Sequence, residues 1–363
     1  MRLLVILHES FGANGGIAKF NRDLLTALAD WPAVGRLIVL QRDPLPPGTA
    51  LPARIEMVAG GSKLRLGLAV LRCLLCCPRF DAILCGHLHL LPLAWLARLR
   101  FRAPLAAVVH GIDAWQPTGR SLSNALVARL DAVFSVSRLT LERLSAWSGL
   151  PGDRGRLLPN CIDLGRFTPG PPDAALAARY GLAGKRVVMT LGRLAAGERY
   201  KGVDELLAIL PRLRLRHPDL VYLVAGDGPD RARLEAKAGD LGLAEAVVFA
   251  GFVAEADKAS LYRLADAFVL CGHGEGFGIV LLEAMACGVP VVASLRDGSR
   301  EAVADGRLGL LADPDDPDSL TAAVETALAR PKERPDGLEV FSYPAFAGRV
   351  RDLVDDLARH ESL

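Results

Sequence analysis

Gly274-Glu275-Gly276-Phe277-Gly278-Ile279-Val280-Leu281-Leu282-Glu283-Ala284-Met285-Ala286-Cys287-Gly288-Val289-Pro290-Val291-Val292 reads as a glycine turn, an apolar helix and the start of a strand. A strand-like run at 267–270 leads into the turn, so the whole stretch has the strand–helix–strand form of a parallel α/β sheet. Gly276 and Gly278 leave backbone N–H groups bare where a helix N-terminus carries partial positive charge and faces a phosphate. Glu275 sits at the rim of that turn. Glu283 lies four residues after Ile279, one helical turn deeper on the same face, where a carboxylate accepts from ligand hydroxyls. It interrupts the apolar run 279–286, and a carboxylate buried there needs hydrogen-bond donors. An exposed helix charge and an ordinary glycine connection are the plainer alternative.

The same alternation extends along the chain in both directions. Strand-like runs at 3–7, 36–40, 82–85, 106–109 and 132–136 alternate with helical patterns, beginning with 17–28, and residues 157–158 add a further short run. Pro159, Pro169, Gly170, Pro171 and Pro172 then break regular structure. Strands resume at 186–191, 220–225, 247–250, 267–270, 290–293 and 310–312, with a helix at 318–329 and a terminal one from 344. Length alone calls for more than one core: 363 residues suit two domains. The expected division is 1–168 and 175–343. Open parallel sheets bind ligands at the carboxyl ends of their strands, so the loops there are where function is sought.

Net charge is only +2, but it is divided unevenly. Residues 1–170 hold 20 Lys+Arg against 11 Asp+Glu, and residues 171–363 hold 23 against 30. The basic excess gathers at Lys63, Arg65, Arg72, Arg79, Arg98, Arg100 and Arg102, around leucine-rich helical patterns at 64–77 and 88–99. Such a pattern suits peripheral docking on an anionic membrane, or a solvated basic surface over core helices. Neither segment is long enough to span a bilayer. The N-terminal apolar run reads as a first strand with no cleavage region, so a cytoplasmic location is expected. The seven cysteines fall mostly in apolar runs and read as reduced core residues. Cys73-x-x-Cys76 has no second pair, and His87-Leu-His89 alone is too little for a metal site, so no metal is expected.

Several loops carry candidate chemistry. Arg193, after the strand at 186–191, offers a fork of donors, and Lys201 opens the next helix as a point charge. Together they suit a diphosphate neutralised without a metal. Cations are disfavoured at a helix start, which argues against a casual surface pair. Gly226-Asp227-Gly228-Pro229 reads as a tight turn with no chemistry. Gly251-Phe252-Val253 ends a strand on the same edge and suits a nucleobase pocket through backbone groups, Val253 included. In the first domain, Gly12, Asn14, Gly15 and Gly16 form a flexible, donor-rich loop before a helix, able to close over a phosphate. It lacks Gly-x-Gly-x-x-Gly, which disfavours nicotinamide binding. His110, ending the strand at 106–109, stands where a histidine touches a substrate or is a satisfied structural residue.

Gly15-Gly16-Ile17, His110-Gly111-Ile112-Asp113, Ser135-Val136-Ser137, Pro159-Asn160-Cys161-Ile162-Asp163 with Phe167, Gly192-Arg193-Leu194, Glu198-Arg199-Tyr200-Lys201-Gly202 and the Glu-x7-Glu segment together resemble the retaining glycosyltransferases of family 4. The resemblance covers essentially the whole chain. It implies the GT-B fold, two facing Rossmann-like doubly wound domains with a cleft between them. It also implies transfer of a sugar from a UDP- or GDP-sugar to a glycan or lipid-linked hydroxyl with retained configuration. No cofactor, metal or nucleic acid is implied. By that resemblance Arg193 and Lys201 neutralise the diphosphate and stabilise the charge that grows on it. The amides around Gly276, Phe277, Gly278, Ile279 and Val280 bind phosphate or sugar, Glu283 takes the ribose hydroxyls and Glu275 a sugar hydroxyl. Gly15 and Gly16 bring their loop to the phosphate, and His110 sits beside the transferred sugar. Residues 344–363 return to the first domain.

The loop between Arg193 and Lys201 is longer than the commoner form, and Cys161 stands where glycine is frequent. Two rivals remain. A nucleotide-sugar 2-epimerase of this fold needs acid and base carboxylates in the first domain, for which Glu9 and Asp113 are the candidates. A non-catalytic nucleotide-sugar binding module is the other.

Overall fold

The structure is a computed structural model and describes residues 1–195 and 201–359. Glu198, Arg199 and Tyr200, together with residues 360–363 of the terminal segment, lie outside the described residues. The chain divides into two compact units. One is Met1–Cys161 with the segment from Tyr343, and the other is Ile162–Ser342.

The first unit is built on seven parallel strands: β1 Arg2–Leu7, β2 Arg36–Gln41, β3 Ile55–Ala59, β4 Ala82–Cys85, β5 Leu105–Val109, β6 Ala132–Ser135 and β7 Gly155–Leu157. Their order is β3-β2-β1-β4-β5-β6-β7. Helices cover both faces of such a sheet, so its central strands are apolar throughout; Leu3 to Leu7 and Leu105 to Val109 are all fully buried. The edge strand β3 has no counterpart among the sequence-derived strands. Helix Gly16–Ala29 packs against helix Tyr343–Arg359, with the Phe20 and Phe346 rings edge to face at 5.5 Å. The terminal helix thus belongs physically to the first unit.

The second unit has six parallel strands: β8 Arg186–Leu191, β9 Leu220–Ala225, β10 Val247–Gly251, β11 Ala267–Leu270, β12 Val291–Ser294 and β13 Leu310–Ala312. Their order is β10-β9-β8-β11-β12-β13. Each sheet therefore grows in two directions from a central pair, β1 with β4 and β8 with β11. At such a switch point neighbouring loops part and leave a crevice at the carboxyl ends.

The helix expected over 88–99 is two elements. His87 accepts from the His89 N–H at 3.1 Å, which starts a single 3-10 turn at Leu88–Leu90. Helix Leu91–Phe101 follows, with Pro92 in its first turn, where the missing N–H costs nothing.

Candidate active site

In the second unit the loops after β8 and β11 meet at the switch point. Lys201 Nζ lies 2.7 Å from Glu275 Oε2, with both side chains only 20% exposed. Gly202 makes that approach possible. Its φ is +87°, and a Cβ there would stand 2.2 Å from the Cys271 carbonyl oxygen. Arg193 is exposed and lines one pocket with Lys201, Asp204 and Asp230.

The Arg193 loop is stitched to its neighbours by main-chain bonds. Gly192 N–H donates to Ala225 O at 3.0 Å, Leu194 N–H to Asp227 O at 3.0 Å, and Asp230 N–H to Leu194 O at 2.9 Å. Gly226 and Gly228 allow it: a Cβ would meet Gly192 O at 1.8 Å from the first and Leu194 O at 2.2 Å from the second. Gly226-Asp227-Gly228 is thus more than the bare turn expected from its sequence, because it supports the loop that carries Arg193. Gly226 N–H also donates to Gly251 O at 2.8 Å, so β10, with half-buried Val253 just beyond it, joins the same edge.

The glycine turn leads into helix Ile279–Ala286, with Gly278 at its N-cap in the left-handed region at φ +91°. Gly276, Phe277 and Gly278 are buried, while Ile279 and Val280 are half-buried. Glu283 is 1% exposed. Tyr262 donates to its Oε2 at 2.8 Å, and Lys258 Nζ lies 3.6 Å from Oε1. The donors that a buried carboxylate requires are present. Burial and the neighbouring Glu283 charge push the Tyr262 phenol well up, so it stays protonated and donates.

Asp297 is a site residue that sequence reading missed. Its buried carboxylate accepts from the Glu275 N–H at 2.9 Å and from the Ser299 N–H at 3.0 Å. Gly298 N–H donates to Glu275 O at 2.8 Å, so the backbone of Glu275 is held from both sides. Burial raises Asp297 to about 6. The only sequence signal was an Asp-Gly-Ser turn after β12, which is common in loops.

In the first unit, Gly15 is the N-cap of helix Gly16–Ala29 at φ +108°, and Gly15 and Gly16 are both exposed. Arg22 Nη1 donates to Ala13 O at 2.6 Å and Asn21 Nδ2 to Glu9 O at 2.8 Å, so the helix holds the loop before it. His110 follows β5. Its N–H donates to the Asp113 carboxylate at 3.1 Å, its ring packs edge to face on Phe20 at 5.0 Å, and its covered Nε2 has no partner among the described residues. Desolvation lowers its pKa to about 4 and raises that of Asp113 to about 7. Asp113, a carboxylate the epimerase reading requires, closes the turn after His110.

The seven cysteines are free. No helix among the described residues is long and apolar enough to cross a membrane.

Residues 177–337 match the family described as Glycosyl transferases group 1, and residues 14–166 match Glycosyltransferase Family 4. A GDP-mannose-dependent alpha-(1-6)-phosphatidylinositol monomannoside mannosyltransferase of Mycolicibacterium smegmatis is 39% identical over 66% of this chain and 66% of its own length. The Mycobacterium tuberculosis H37Rv protein of that name is 36% identical over 64% of its length. The chain thus spans just under two thirds of these relatives. A phosphatidyl-myo-inositol mannosyltransferase of M. smegmatis is 33% identical over 89% of this chain and 84% of its own. Among solved structures, Anabaena HepE in complex with UDP superposes with a TM-score of 0.78 at 21% identity, covering 98% of this chain and 100% of that one. With two Rossmann-like parallel-sheet units of the GT-B fold and a relative that matches across both, the chain belongs to the family 4 glycosyltransferases.

Proposed function

We propose that the protein transfers a mannosyl group from GDP-mannose to a hydroxyl of an inositol-containing, lipid-linked acceptor with retention of configuration. The observation that carries this reading is the Lys201–Glu275 pair at 2.7 Å beside the start of helix Ile279–Ala286. It sets a cation, a carboxylate and a helix N-terminus at one switch point. The donor preference rests on the mannosyltransferase names of the relatives.

In this reading the donor's diphosphate takes Lys201 from Glu275 and gains Arg193, while Glu275 turns to a sugar hydroxyl. Glu283, its Oε2 held by Tyr262, accepts from the ribose. The anomeric carbon–phosphate oxygen bond breaks and the acceptor oxygen forms its bond on the same face, its proton passing to the leaving phosphate. Arg193, Lys201 and the helix amides stabilise the charge that grows on that phosphate, with no metal in the grip. His110 is assigned to the transferred sugar, and its low pKa makes it a neutral hydrogen-bonding group rather than a cation.

The lipid-linked acceptor is met at the membrane surface. Helix Lys63–Cys76 leaves Leu64, Leu68, Leu71 and Leu75 between 51% and 75% exposed, a spacing that puts one apolar stripe on one side. Lys63, Arg65 and Arg72 are exposed on the same helix, which supports docking on anionic lipid from the cytoplasmic side. Arg98 is not part of that surface charge, since it is ion-paired with Asp131 and 15% exposed.

A thermal-shift comparison of GDP, UDP, GDP-mannose and UDP-glucose tests the donor assignment, because a ligand that binds the folded state raises Tm. GDP and GDP-mannose should raise it, and Lys201→Ala should remove most of the rise. A shift with the uridine compounds alone would overturn the GDP assignment, and no shift with any of them would overturn the donor site.

A further inference from the structure

We propose that His8, His87 and His89 form a site for one first-row divalent cation of the zinc class, at the switch point of the first unit's sheet. The diphosphate grip of the second unit has no share in it. Two residues apart, His87 and His89 were too little on sequence grounds; the third imidazole comes from another strand. His8 follows β1, and His87 follows β4 across Gly86. Strands β1 and β4 are the central pair from which the sheet order diverges. Gly86 permits the close approach, since a Cβ there would stand 2.9 Å from Leu7 Cβ, and its N–H donates to Ile6 O at 2.8 Å.

The rings of His8 and His87 lie 4.7 Å apart and those of His87 and His89 4.6 Å apart. One nitrogen from each of the three lies within 4.8 Å of the other two. Metal–imidazole bonds of about 2.1 Å at tetrahedral angles need nitrogens about 3.4 Å apart, so the three half-buried rings close in by at most about 1.4 Å between any two nitrogens. Second contacts orient the set. His87 Nδ1 accepts from the His89 N–H at 3.1 Å, which leaves its Nε2 as the ligand. Arg120 Nη1 donates to His89 O at 3.2 Å and Cys85 Sγ to His87 O at 3.2 Å. His8 Nδ1 is covered and has no hydrogen-bond partner among the described residues, an uncommon state for a buried polar atom.

Three imidazoles are the ligand set of Zn²⁺, Co²⁺, Ni²⁺ and Cu²⁺ rather than of Mg²⁺ or Ca²⁺, which take oxygen, and they leave a coordination position open. Burial first, with Arg42 behind it, disfavours the protonated His8 and His87 imidazoles, and Arg120 adds to this at His8; the neutral form is the one that binds metal. Those same cations oppose an incoming dication, and Asp43, 2.7 Å from Arg42, offsets part of that field.

The test is titration of the untagged, chelator-treated full chain with Co²⁺, followed by visible absorption, with Zn²⁺ as competitor. The expected result is saturation at one Co²⁺ per chain, with tetrahedral ligand-field bands and no thiolate charge-transfer band, displaced by Zn²⁺. Loss of one ligand should weaken binding at least as much as the 10–100-fold typical of outer-shell changes, so His89→Ala and His8→Ala should each raise Kd about 100-fold. His89→Gln, at a half-buried position, repeats the measurement in a folded protein checked by circular dichroism. No saturable binding, an unchanged Kd in both His89 variants, or a thiolate band abolished by Cys76→Ser would each overturn the proposal.

Discussion

Glu283 shows how one side chain is constrained by burial. Its carboxylate is closed off from water and depends on the Tyr262 hydroxyl at 2.8 Å and Lys258 at 3.6 Å. Tyr262→Phe removes a donor and leaves the acceptor in place, which should cost about 1–3 kcal/mol in denaturant unfolding. An unchanged midpoint would mean that water replaces the hydroxyl. Lys201 is paired with Glu275 at 2.7 Å, which directs its charge for the diphosphate role proposed above. Lys201→Ala should lower kcat about 10²–10³-fold, the cost of one lost charge stabiliser. Asp297→Ala frees the Glu275 backbone and should lower kcat in the same direction without changing nucleotide affinity in a Tm shift. Neither Asp297 nor Tyr262 was legible in the sequence as a site residue, because each acts on a glutamate 21 or 22 residues away through a contact that only the fold creates.

Among elements, those with both faces buried were the legible ones. The runs of β9 and β11 are apolar or aromatic from end to end, β8 is so but for Arg186 and Thr190, and the bounds of all three follow from the sequence alone. Edge strand β3, Ile-Glu-Met-Val-Ala, is exposed at three of its five residues and carries neither a continuous run nor clean alternation, so nothing marked it. Gly226 joins loop to loop. Gly226→Ala places a methyl 1.8 Å from Gly192 O at φ +121°, and the backbone strain alone is about 1–3 kcal/mol. Unfolding of the second unit should shift down by at least that amount, and a stability equal to wild type would refute the close approach.

The two units should respond to acid in different ranges. In the first, His8, His87 and His110 titrate near 4, 3 and 4 in the fold against 6.5 when exposed. The unfolded chain therefore takes up protons first, and the stability these groups leave intact above pH 6.5 is lost as pH falls toward 4. Asp113, raised to about 7 from 3.8, acts oppositely over 3.8–7, with its contribution lost as pH rises; three histidines outweigh it. In the second unit, Arg233 and Lys237 hold Asp204 down at about 2, and its contribution is present above 3.8 and lost as pH falls through 2. Metal-free melts from pH 7 to 4 should show the first unit's Tm falling before the second's. Coincident or flat transitions would contradict this assignment.

For the whole molecule, the uneven charge and the leucine stripe on helix Lys63–Cys76 point the same way. Leu68→Asp with Leu75→Asp should abolish sedimentation with anionic vesicles and leave the GDP-induced Tm shift unchanged; sedimentation at the wild-type level would remove the membrane proposal. The tandem α/β architecture was legible because strand and helix periods alternate through both halves, and Arg193, Lys201 and the glutamates were legible as charges in conspicuous places. The Lys201–Glu275 contact, spanning 74 residues of sequence, was not. The most direct measurement incubates the purified chain with GDP-mannose and a phosphatidylinositol-mannoside acceptor in vesicles and follows the lipid by mass spectrometry. The expected product is a lipid heavier by one hexose with one GDP released per transfer, and both are lost in Lys201→Ala. GDP release with no glycosylated lipid, or a product formed equally well by Lys201→Ala, would contradict it.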